Sequence, residues 1–284
     1  MKTTLVLIIA ALTLLTAPAS AVASKMRVMS FNIRQDNPKD GPLNFWKDRR
    51  APLCKYVIKK KPDIIGMQEV FKNQLDDVMG FLKGYAYVGA GREDGKEKGE
   101  YNPVIYRTDK YKLIKHGIFW LSETPDVPSV SWNAKYPRIA TWVILEEIKT
   151  GRRFFYCNSH FDHKSDFAKN ESAKFIKKQF KKLCEGLPIV FTADCNTYEP
   201  KDVYYTMCSY DYPFTDTWKA ALKKKGGPST SHEYGKNKNI LEHKIDFIFV
   251  SDEFKTKRSV IDDSSLGGGR FLSDHHPIWA DVVY

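Results

Sequence analysis

The sequence has few cysteines, and their number and spacing argue against two kinds of site. There are five in 284 residues. This odd number without paired spacing indicates neither a cysteine-rich zinc cluster nor the disulfide framework of a small secreted domain. Cys157 and Cys195 fall inside apolar strand patterns, so we expect small buried hydrophobic side chains there. A disulfide between two of Cys54, Cys184 and Cys208 stays open.

Long hydrophobic runs are absent except near the N-terminus. Lys2 precedes the apolar run 5–15, and Ala21-Val22-Ala23 has the small-x-small pattern after which signal peptidase cleaves. We therefore expect a signal peptide at 1–23 and secretion to an extracellular or periplasmic location. The run is shorter than the roughly 20 residues that cross a bilayer, so no membrane anchor is expected.

Repeats, low-complexity linkers and a helical His-Glu-x-x-His motif are also lacking. These absences disfavour a solenoid, a chain of linked small domains and a zinc hydrolase of that type. Hydrophobic residues make up 42% and aromatic residues 13%, which is enough to fill a large core. The pattern favours a single catalytic domain over 24–284.

Positive charge is in excess, with 45 Lys and Arg against 34 Asp and Glu and a net charge of +11. A basic secreted protein is attracted to polyanions such as nucleic acid, anionic lipid surfaces or acidic glycans. The lysine runs at 59–61, 177–178, 181–182 and 223–225 are typical of exposed helix faces and loops. Charge alone therefore does not choose the partner.

Strand and helix patterns alternate along the chain. Helices are predicted at 46–61, 71–82, 165–185 and 202–208, and the inner face of the third comprises Phe167, Ala173, Phe175, Ile176, Phe180 and Leu183. Single strands are predicted at 26–32, 63–70, 85–88, 187–192, 244–250, 258–261 and 278–283. Antiparallel pairs are predicted for 102–106 with 111–121 and for 139–148 with 153–158. Many strands with a few helices imply two packed sheets with helices outside.

Polar side chains recur at or near the ends of these apolar strands: Asn32, Glu69, His160, Asp194 with Asn196, Asp246, and the segment Ser273-Asp274-His275-His276-Pro277. If they converge, Glu69 supplies the hard oxygen ligand that Mg²⁺ or Mn²⁺ prefers. Imidazoles and carboxylates can then move protons during attack on a phosphate. Each has a structural alternative: 194–196 can be a turn, His160 a satisfied histidine at a strand edge, and Asp246 half of an ion pair.

The ordered motifs Ser30-Phe31-Asn32, Gln68-Glu69-Val70, Asn158-x-His160, Asp194-x-Asn196, Ile245-Asp246-Phe247-Ile248 and Ser273-Asp274-His275-x-Pro277 resemble the endonuclease/exonuclease/phosphatase superfamily, the group of pancreatic-type deoxyribonuclease. The resemblance spans about 26–284. It implies an α/β fold, a four-layer α-β-β-α sandwich of two packed mixed sheets with outer helices. It also implies divalent-metal hydrolysis of a phosphoester.

Carried over position by position, the resemblance assigns a role to each polar residue. The metal ligands are Glu69, Asn32 and Asp274. The catalytic residues are His160, His275, Asp194, Asn196, Asp246 and Glu100, where Asp246 supports His275 and Glu100 supports His160. The substrate-binding residues are Arg138, Arg92 and Asn158. The chain departs from the usual Gly-Asp-Phe-Asn motif, having Ala193-Asp194-Cys195-Asn196. It also matches only loosely at 230–234.

These observations favour a secreted, divalent-metal-dependent phosphodiesterase, and above all a largely sequence-nonspecific nuclease for DNA, with RNA as a second substrate. Mg²⁺ or Mn²⁺ is the expected cofactor, with Ca²⁺ a candidate structural ion. One alternative is a phosphatase or phosphodiesterase for sugar phosphates, inositol phosphates or phospholipid head groups, with the loop around Trp120, Pro125, Pro128 and Trp132 closing a pocket. A second is a non-catalytic polyanion-binding protein. We expect a monomer without a stable protein partner.

Overall fold

The computed structural model describes residues 23–209, 213–237 and 244–284. Two mixed β-sheets pack face to face there, and helices cover their outer surfaces. The predicted signal peptide lies outside the described residues except for its last residue, and the boundary at 23/24 stays a prediction. Among the described residues, no helix combines the length and apolar character needed to cross a bilayer.

The first sheet contains the first and last strands of the fold. Its strands are β1 (Lys25–Asn32), β2 (Ile64–Gln68), β3 (Tyr85–Val88), β4 (Val104–Arg107), β10 (Lys223–Lys225), β12 (Lys255–Ile261) and β13 (Ile278–Val283). They are arranged in the order β10-β12-β13-β1-β2-β4-β3. Strands β1 and β2 run parallel, whereas β13 runs antiparallel to β1.

The second sheet is built mainly from the middle of the chain. Its strands are β5 (Tyr111–Trp120), β6 (Ile139–Glu147), β7 (Arg153–His160), β8 (Ile189–Asp194), β9 (Thr215–Asp216) and β11 (Asp246–Val250). Their order is β5-β6-β7-β8-β11-β9. The hairpin of β6 and β7 was predicted correctly, and β7 and β8 run parallel.

The helices are α1 (Trp46–Lys60), α2 (Lys72–Phe81), α3 (Asp166–Leu183), α4 (Asp202–Cys208) and the short α5 (Thr217–Ala220), with a 3-10 turn at Glu233–Gly235. Helix α3 begins where the Ser165 hydroxyl accepts a hydrogen bond from the Ala168 N–H at 3.1 Å. This contact satisfies one of the free N–H groups of the first turn.

Three apolar layers hold the fold together. In β1, Val28 faces the layer between the sheets, whereas Met29 faces the layer under α1 and α2, because successive strand side chains point to opposite faces. The third layer joins α3 and α4 to the outer face of the second sheet through residues such as Phe180 and Phe191. The predicted four-layer α-β-β-α sandwich is confirmed.

Two local predictions were wrong. The segments 102–106 and 111–121 do not form an antiparallel pair, because β4 pairs with β2 and β3 in the first sheet and β5 pairs with β6 in the second. The turn after β4 therefore carries the chain from one sheet to the other. On α3, Phe167 is exposed, while Lys169 and Lys177 are buried and donate hydrogen bonds to backbone carbonyls.

Asn158 and Gly66 join the two sheets just beneath the strand ends. The Asn158 amide nitrogen donates to the carbonyls of Met67 and Pro103 at 2.7 and 3.1 Å, across the sheet interface. A Cβ at Gly66 would lie 2.2 Å from Thr192 Oγ1 and 2.5 Å from Asn158 Oδ1. Only glycine therefore lets the sheets approach this closely.

The cysteines match the expectation for buried apolar side chains. Cys157 and Cys195 are buried free thiols, and burial holds the pKa of each well above its ordinary value. Cys54 and Cys208 are free thiols as well.

Candidate active site

The polar strand ends meet at one end of the sandwich. Strands β1, β2, β7 and β8 end there, while β11 and β13 begin there, because these two run antiparallel to their neighbours. In the second sheet, Asp194 is paired in register with His160 on one side and Asp246 on the other. The topology therefore brings residues distant in sequence to one edge.

These side chains line a cavity of about 430 Å³. Its walls come from both sheets and from the loops that connect their strands: Arg34, Gln35, Glu69, Arg92, Glu100, Tyr136, Arg138, His160, His163, Asp194, Asn196, Ser231, Glu233, Ile245, Asp274 and His275. Among the described residues lining the cavity there is no lysine. Most of the lining side chains are polar, and arginine and histidine supply the positive charge of the cavity.

Glu69 and Asp274 form the acidic side of the cavity. Burial alone would raise the pKa of Glu69, but Arg34, the Asn32 amide, His275 and the Gln35 N–H together hold that pKa below its ordinary value. Burial, with the Glu69 charge adding to it, raises the pKa of Asp274. Glu69 has a φ of 59°, a left-handed conformation that is uncommon for a residue with a side chain.

Asn32 is buried behind these carboxylates. Its amide nitrogen donates to Glu69 Oε1 at 3.0 Å and to Asp194 Oδ2 at 2.9 Å. Its amide oxygen accepts the Arg34 N–H at 2.9 Å. In this arrangement Asn32 orients two carboxylates, and its role as a direct metal ligand stays a prediction.

His275 and Asp246 form the hydrogen-bonded pair that the sequence predicted. His275 Nδ1 lies 2.9 Å from Asp246 Oδ2. Burial lowers the pKa of His275, but the charge and hydrogen bond of Asp246, aided by Asp194 and Asp274, raise it well above the ordinary value. The hydrogen bond to Asp246 therefore favours the protonated ring, and Nε2 is the ring nitrogen left for the cavity.

Asp194 lies between the two histidines. Its Oδ1 accepts the Asn196 N–H at 2.9 Å, and its Oδ2 lies 3.5 Å from His160 Nε2. Burial, followed by the negative charge of Asp246, raises the pKa of Asp194 to about 7. A carboxylate with this pKa can accept a proton near neutral pH.

The pKa of His160 is shifted in the direction opposite to that of His275. Burial, together with the positive charges of Arg138 and Arg92, lowers its pKa well below the ordinary value. Asn196 Nδ2 lies 2.8 Å from His160 Nε2, which places the ring proton on Nδ1 if the amide nitrogen is the donor. Glu100 is nearby, but its Oε2 is 3.9 Å from Nδ1, too far for a hydrogen bond.

Glu100 instead pairs with Arg92. Arg92 Nη1 and Nη2 donate to the two Glu100 oxygens at 2.8 and 2.9 Å. The neighbouring Arg138 is 4% exposed, and its Nη2 lies 2.9 Å from His163 Nδ1. Within the described part of the chain, Arg92 Nε and Arg138 Nε and Nη1 are buried without a hydrogen-bond partner. Buried guanidinium groups with free N–H groups indicate a site for an anion.

Asn158 does not face the cavity, and its predicted role in substrate binding was wrong. Its side chain is fully buried, and its amide oxygen accepts hydrogen bonds from Gln68 and Thr192 at 2.7 and 3.0 Å. The sequence alone does not distinguish an Asn at the end of a strand, where it can face a cavity, from an Asn two residues earlier that is buried between the sheets.

The two tryptophans of the predicted pocket-closing loop also lie behind the cavity. Trp120 is buried and donates to the Arg92 carbonyl at 2.7 Å, and Trp132 packs on Phe175. Tyr136, near the end of the same loop, is the aromatic side chain that lines the cavity. It is stacked on His163 with ring centroids 6.1 Å apart.

Sequence analysis did not identify several cavity residues, namely Arg34, Tyr136, His163, Ser231 and Glu233. The signal for Arg34 was its place two residues after Asn32, in a loop that follows a strand ending in a polar residue. His163 follows His160 by three residues and was not assigned a role. Loop residues carry no periodic pattern, so their direction could not be inferred.

The residues present fit a divalent cation. Glu69 and Asp274 offer hard carboxylate oxygens to the cavity, with side chains 14% and 15% exposed. One carboxylate oxygen of Asp194, one of Asp246 and the Nδ1 atom of His275 also lie within 4.8 Å of one another. The hydrogen bond between His275 and Asp246 occupies that second cluster, so Glu69 and Asp274 are the better donors.

Comparison with known proteins agrees with this geometry. The sequence model of the Endonuclease/Exonuclease/phosphatase family matches residues 29–275. These residues extend from β1 to His275 and include every cavity-lining residue named above.

Solved structures of similar proteins span almost the whole chain. An endonuclease/exonuclease/phosphatase from Bacteroides vulgatus is 38% identical, covers 91% of this chain and 98% of its own, and superposes with a TM-score of 0.87. A mannosyl-6-phosphatase from Bacteroides thetaiotaomicron VPI-5482 is 35% identical over 91% of this chain and 100% of its own, with a TM-score of 0.86. TDP2 from D. rerio, complexed with single-strand DNA product, has a TM-score of 0.70 at 16% identity over 91% of this chain and 99% of its own, and so shares the fold alone.

Curated relatives are more distant. An uncharacterized protein of Acanthamoeba polyphaga mimivirus is 24% identical over 65% of this chain and 32% of its own length. The chain thus spans about a third of that relative.

Proposed function

Because the chain belongs to the endonuclease/exonuclease/phosphatase family of phosphoester hydrolases, we propose that it removes phosphate from a small phosphomonoester of the sugar-phosphate class. Members of the family use divalent metals and act on nucleic acid or phosphate substrates. A phosphatase for sugar phosphates was one alternative left open by the sequence, and we rank it ahead of the nuclease.

The observation that carries the proposal is the pair of buried arginines in a small cavity. Arg92 and Arg138 keep N–H groups without a hydrogen-bond partner, although Arg138 Nε also lies 3.8 Å from Asp162 Oδ2, and both line the same cavity as His275. Two guanidinium groups, one imidazole and a confined space together favour one compact dianion. A volume of about 430 Å³ is within the usual range of roughly 300–1,000 Å³ for small-molecule pockets.

The rim of the cavity also favours a small ester over a polyanion. Glu233 is exposed and lines the cavity, so its carboxylate would repel flanking phosphates of a nucleic acid strand. Tyr136 is 42% exposed at the same rim; His163 and Arg92 contact its ring, and its exposed edge would contact a sugar. The mannosyl-6-phosphatase similarity supports the same substrate class.

In the proposed reaction, water attacks phosphorus in line with the bond to the leaving oxygen. Asp194 accepts the proton of the attacking water, and His275 donates a proton from Nε2 to the leaving oxygen. Arg92 and Arg138 bind the phosphoryl oxygens, and Asn196 orients His160 beside them. A divalent cation held by Glu69 and Asp274 would neutralise negative charge on the phosphate.

A nuclease is the second candidate because of the net charge of +11. The lysines Lys174, Lys177, Lys178 and Lys181 line one groove beside α3 and α4, which is a surface that a nucleic acid backbone could contact. These lysines begin five residues beyond Lys169, whose ammonium contacts the Asn196 carbonyl at 3.1 Å, and extend along the helix away from the cavity.

A substrate panel tests the proposal. Mannose 6-phosphate, glucose 6-phosphate, glycerol phosphate, a phosphodiester, single-stranded DNA and plasmid DNA are incubated with the protein and Mg²⁺ or Mn²⁺, with a chelator control. We expect phosphate release from a sugar phosphate and little cleavage of DNA. Rapid DNA cleavage with inert monoesters would establish the nuclease instead.

Secretion is part of the proposal and rests on the N-terminal sequence alone. Expression of the full chain with its natural N-terminus, followed by N-terminal sequencing of the exported protein, is expected to give a start at Ser24. Retention of Met1 in the cell would contradict it.

A further inference from the structure

The guanidinium group of Arg34 lies among the carboxylates of Glu69, Asp274 and Asp40 at the acidic side of the cavity. Its Nη1 is 3.7 Å from Glu69 Oε2, and its Nε is 3.7 Å from Asp274 Oδ2. Both distances are longer than a hydrogen bond but short enough for strong charge attraction. The guanidinium group therefore stabilises both carboxylates without occupying their oxygens.

Asp40 holds Arg34 at this distance. Its two oxygens accept hydrogen bonds from Arg34 Nη2 at 2.8 Å and Nε at 3.0 Å, in the bidentate geometry that fixes a guanidinium plane. The Asp40 side chain is only 6% exposed, and the Tyr234 hydroxyl donates to it at 3.3 Å. The pair is therefore rigidly placed.

The backbone of Arg34 is fixed as well. Its carbonyl accepts hydrogen bonds from Gln74 Nε2 at 2.9 Å and Arg49 Nη2 at 3.2 Å, and its N–H donates to Asn32. Its φ of 57° is in the left-handed region, a strained conformation for arginine that the surrounding contacts maintain. Both ends of the side chain are thus positioned by the protein.

We propose that Arg34 and Asp40 together set the affinity of the divalent-cation site at Glu69 and Asp274. Arg34 is a built-in counter-cation that weakens binding of the ion by charge repulsion. Asp40 draws the guanidinium group away from the two ligand carboxylates and so keeps them accessible. Both are positioning residues, and the inference rests on the metal dependence stated in the proposed function.

The proposal predicts opposite effects for two neutralising substitutions. Arg34→Gln removes the repelling cation, so the dissociation constant for Mn²⁺ should fall about tenfold. A tenfold change corresponds to a modest share of the interaction free energy between charges a few ångströms apart. Asp40→Asn releases Arg34 to approach Glu69 and Asp274, so the same constant should rise about tenfold. A merely structural role predicts loss of affinity in both variants.

Calorimetric titration of the full chain with Mn²⁺, without substrate, measures both constants. The matched controls are Arg50→Gln and Asp76→Asn, which make the same charge changes in the exposed pairs Arg50–Asp77 and Lys72–Asp76. We expect both controls to bind Mn²⁺ like the natural protein. With a chelator present, the melting temperature of Arg34→Gln should be lower than that of the natural protein, because Glu69 and Asp274 lose their internal counter-charge.

A double variant shows whether Asp40 acts through Arg34. In the Arg34→Gln background, Asp40→Asn should change the Mn²⁺ dissociation constant less than twofold, since the guanidinium group it restrains is gone. Equal effects of Asp40→Asn in both backgrounds would overturn the proposal, as would unchanged or weaker binding in Arg34→Gln alone. If Asp40→Asn does not fold, the Arg34→Gln result still decides. No Mn²⁺ binding by the natural protein would instead refute the metal dependence.

Discussion

The two ends of the sandwich both carry buried or half-buried charge, yet they are built differently. At the end opposite the cavity, Asp63 accepts hydrogen bonds from the Arg27 N–H at 2.7 Å, Lys110 at 2.9 Å and Arg107 at 3.4 Å. Arg27 and Asp281 form a bidentate pair at 2.7 and 3.0 Å. We call these five residues the Asp63 cluster.

At the cavity end, by contrast, several imidazole, carboxylate and guanidinium atoms are buried without a hydrogen-bond partner among the described residues. They include His160 Nδ1, Asp246 Oδ1 and the free N–H groups of Arg92 and Arg138. Charged groups at the Asp63 cluster hydrogen-bond one another, whereas those at the cavity shift the pKa of Asp194, His160 and His275. Unsatisfied hydrogen bonding of guanidinium, imidazole and carboxylate groups, more than charge itself, separates the cavity from the structural ion-pair network.

The sharpest test of this contrast removes the proton donor of the cavity. In His275→Gln the amide can still donate to Asp246, but no proton can be transferred, so kcat should fall about a hundredfold or more. Phosphate release is measured at saturating metal and substrate, with the melting temperature as the control for folding. Near-normal turnover would remove His275 from the proposed chemistry.

The reverse test alters the Asp63 cluster. Asp63→Asn takes the charge from a carboxylate that accepts three hydrogen bonds, so the free energy of unfolding should fall by about 2 kcal/mol. Because the cluster lies at the far end of the strands, kcat should change little. Denaturant unfolding and phosphate release are measured on the same sample. A large loss of activity in folded protein would show that the two ends are coupled.

Asp246→Asn sharpens the comparison by changing a pKa without removing the histidine. Asp246 raises the pKa of His275, so activity that needs the imidazolium persists to alkaline pH and is lost as pH rises through that raised pKa. The Asn variant should lose this activity at lower pH, and its maximal rate should fall about tenfold. The pH profile of kcat/KM measures the change, and an unmoved alkaline limb would contradict it.

The smallest expected effect concerns acid stability near the cavity. Burial, followed by the charge of His276, lowers the pKa of His232 to about 3, so the unfolded chain binds this proton more readily and stability falls with decreasing pH below about 6.5. His232→Asn should reduce the loss between pH 7 and 5 by about 1 kcal/mol. Chemical denaturation at both pH values tests this, and an identical loss in the variant would refute it.

The sequence predicted those features that depend on local pattern. Strand periodicity placed β1, β2, β7 and β8, and the polar residues at their ends gave Glu69, His160 and Asp194. The pairing of Asp246 with His275, 29 residues apart, came from the family resemblance. Each of these residues lies at or beside a strand end, where direction follows from the strand itself.

Features that depend on nonlocal packing were missed. A polar turn between 102–106 and 111–121 looks like a hairpin, yet the choice of sheet depends on partners elsewhere in the chain. Asn158 was assigned to substrate, although its neighbours across the sheet interface fully satisfy it. Arg34 was overlooked because Asp40, which orients it, is also in an irregular loop. Contacts between sheets and within loops leave no periodic signal.

The close approach of the sheets at Gly66 has a consequence for reading mutational scans of this protein. Glu69, with Asn32 behind it, is carried by one sheet, and His160, Asp194 and Asp246 by the other, so the distance between these two groups of cavity residues depends on the gap between the sheets. Thr192 and Asn158 would clash with any side chain at Gly66, and pushing them aside would widen that gap. Substitution of Gly66, which does not contact the ligand, would then abolish activity as if a catalytic residue had been removed. A Gly66 variant that folds and binds metal but is inactive would show that the spacing of the sheets is the cause.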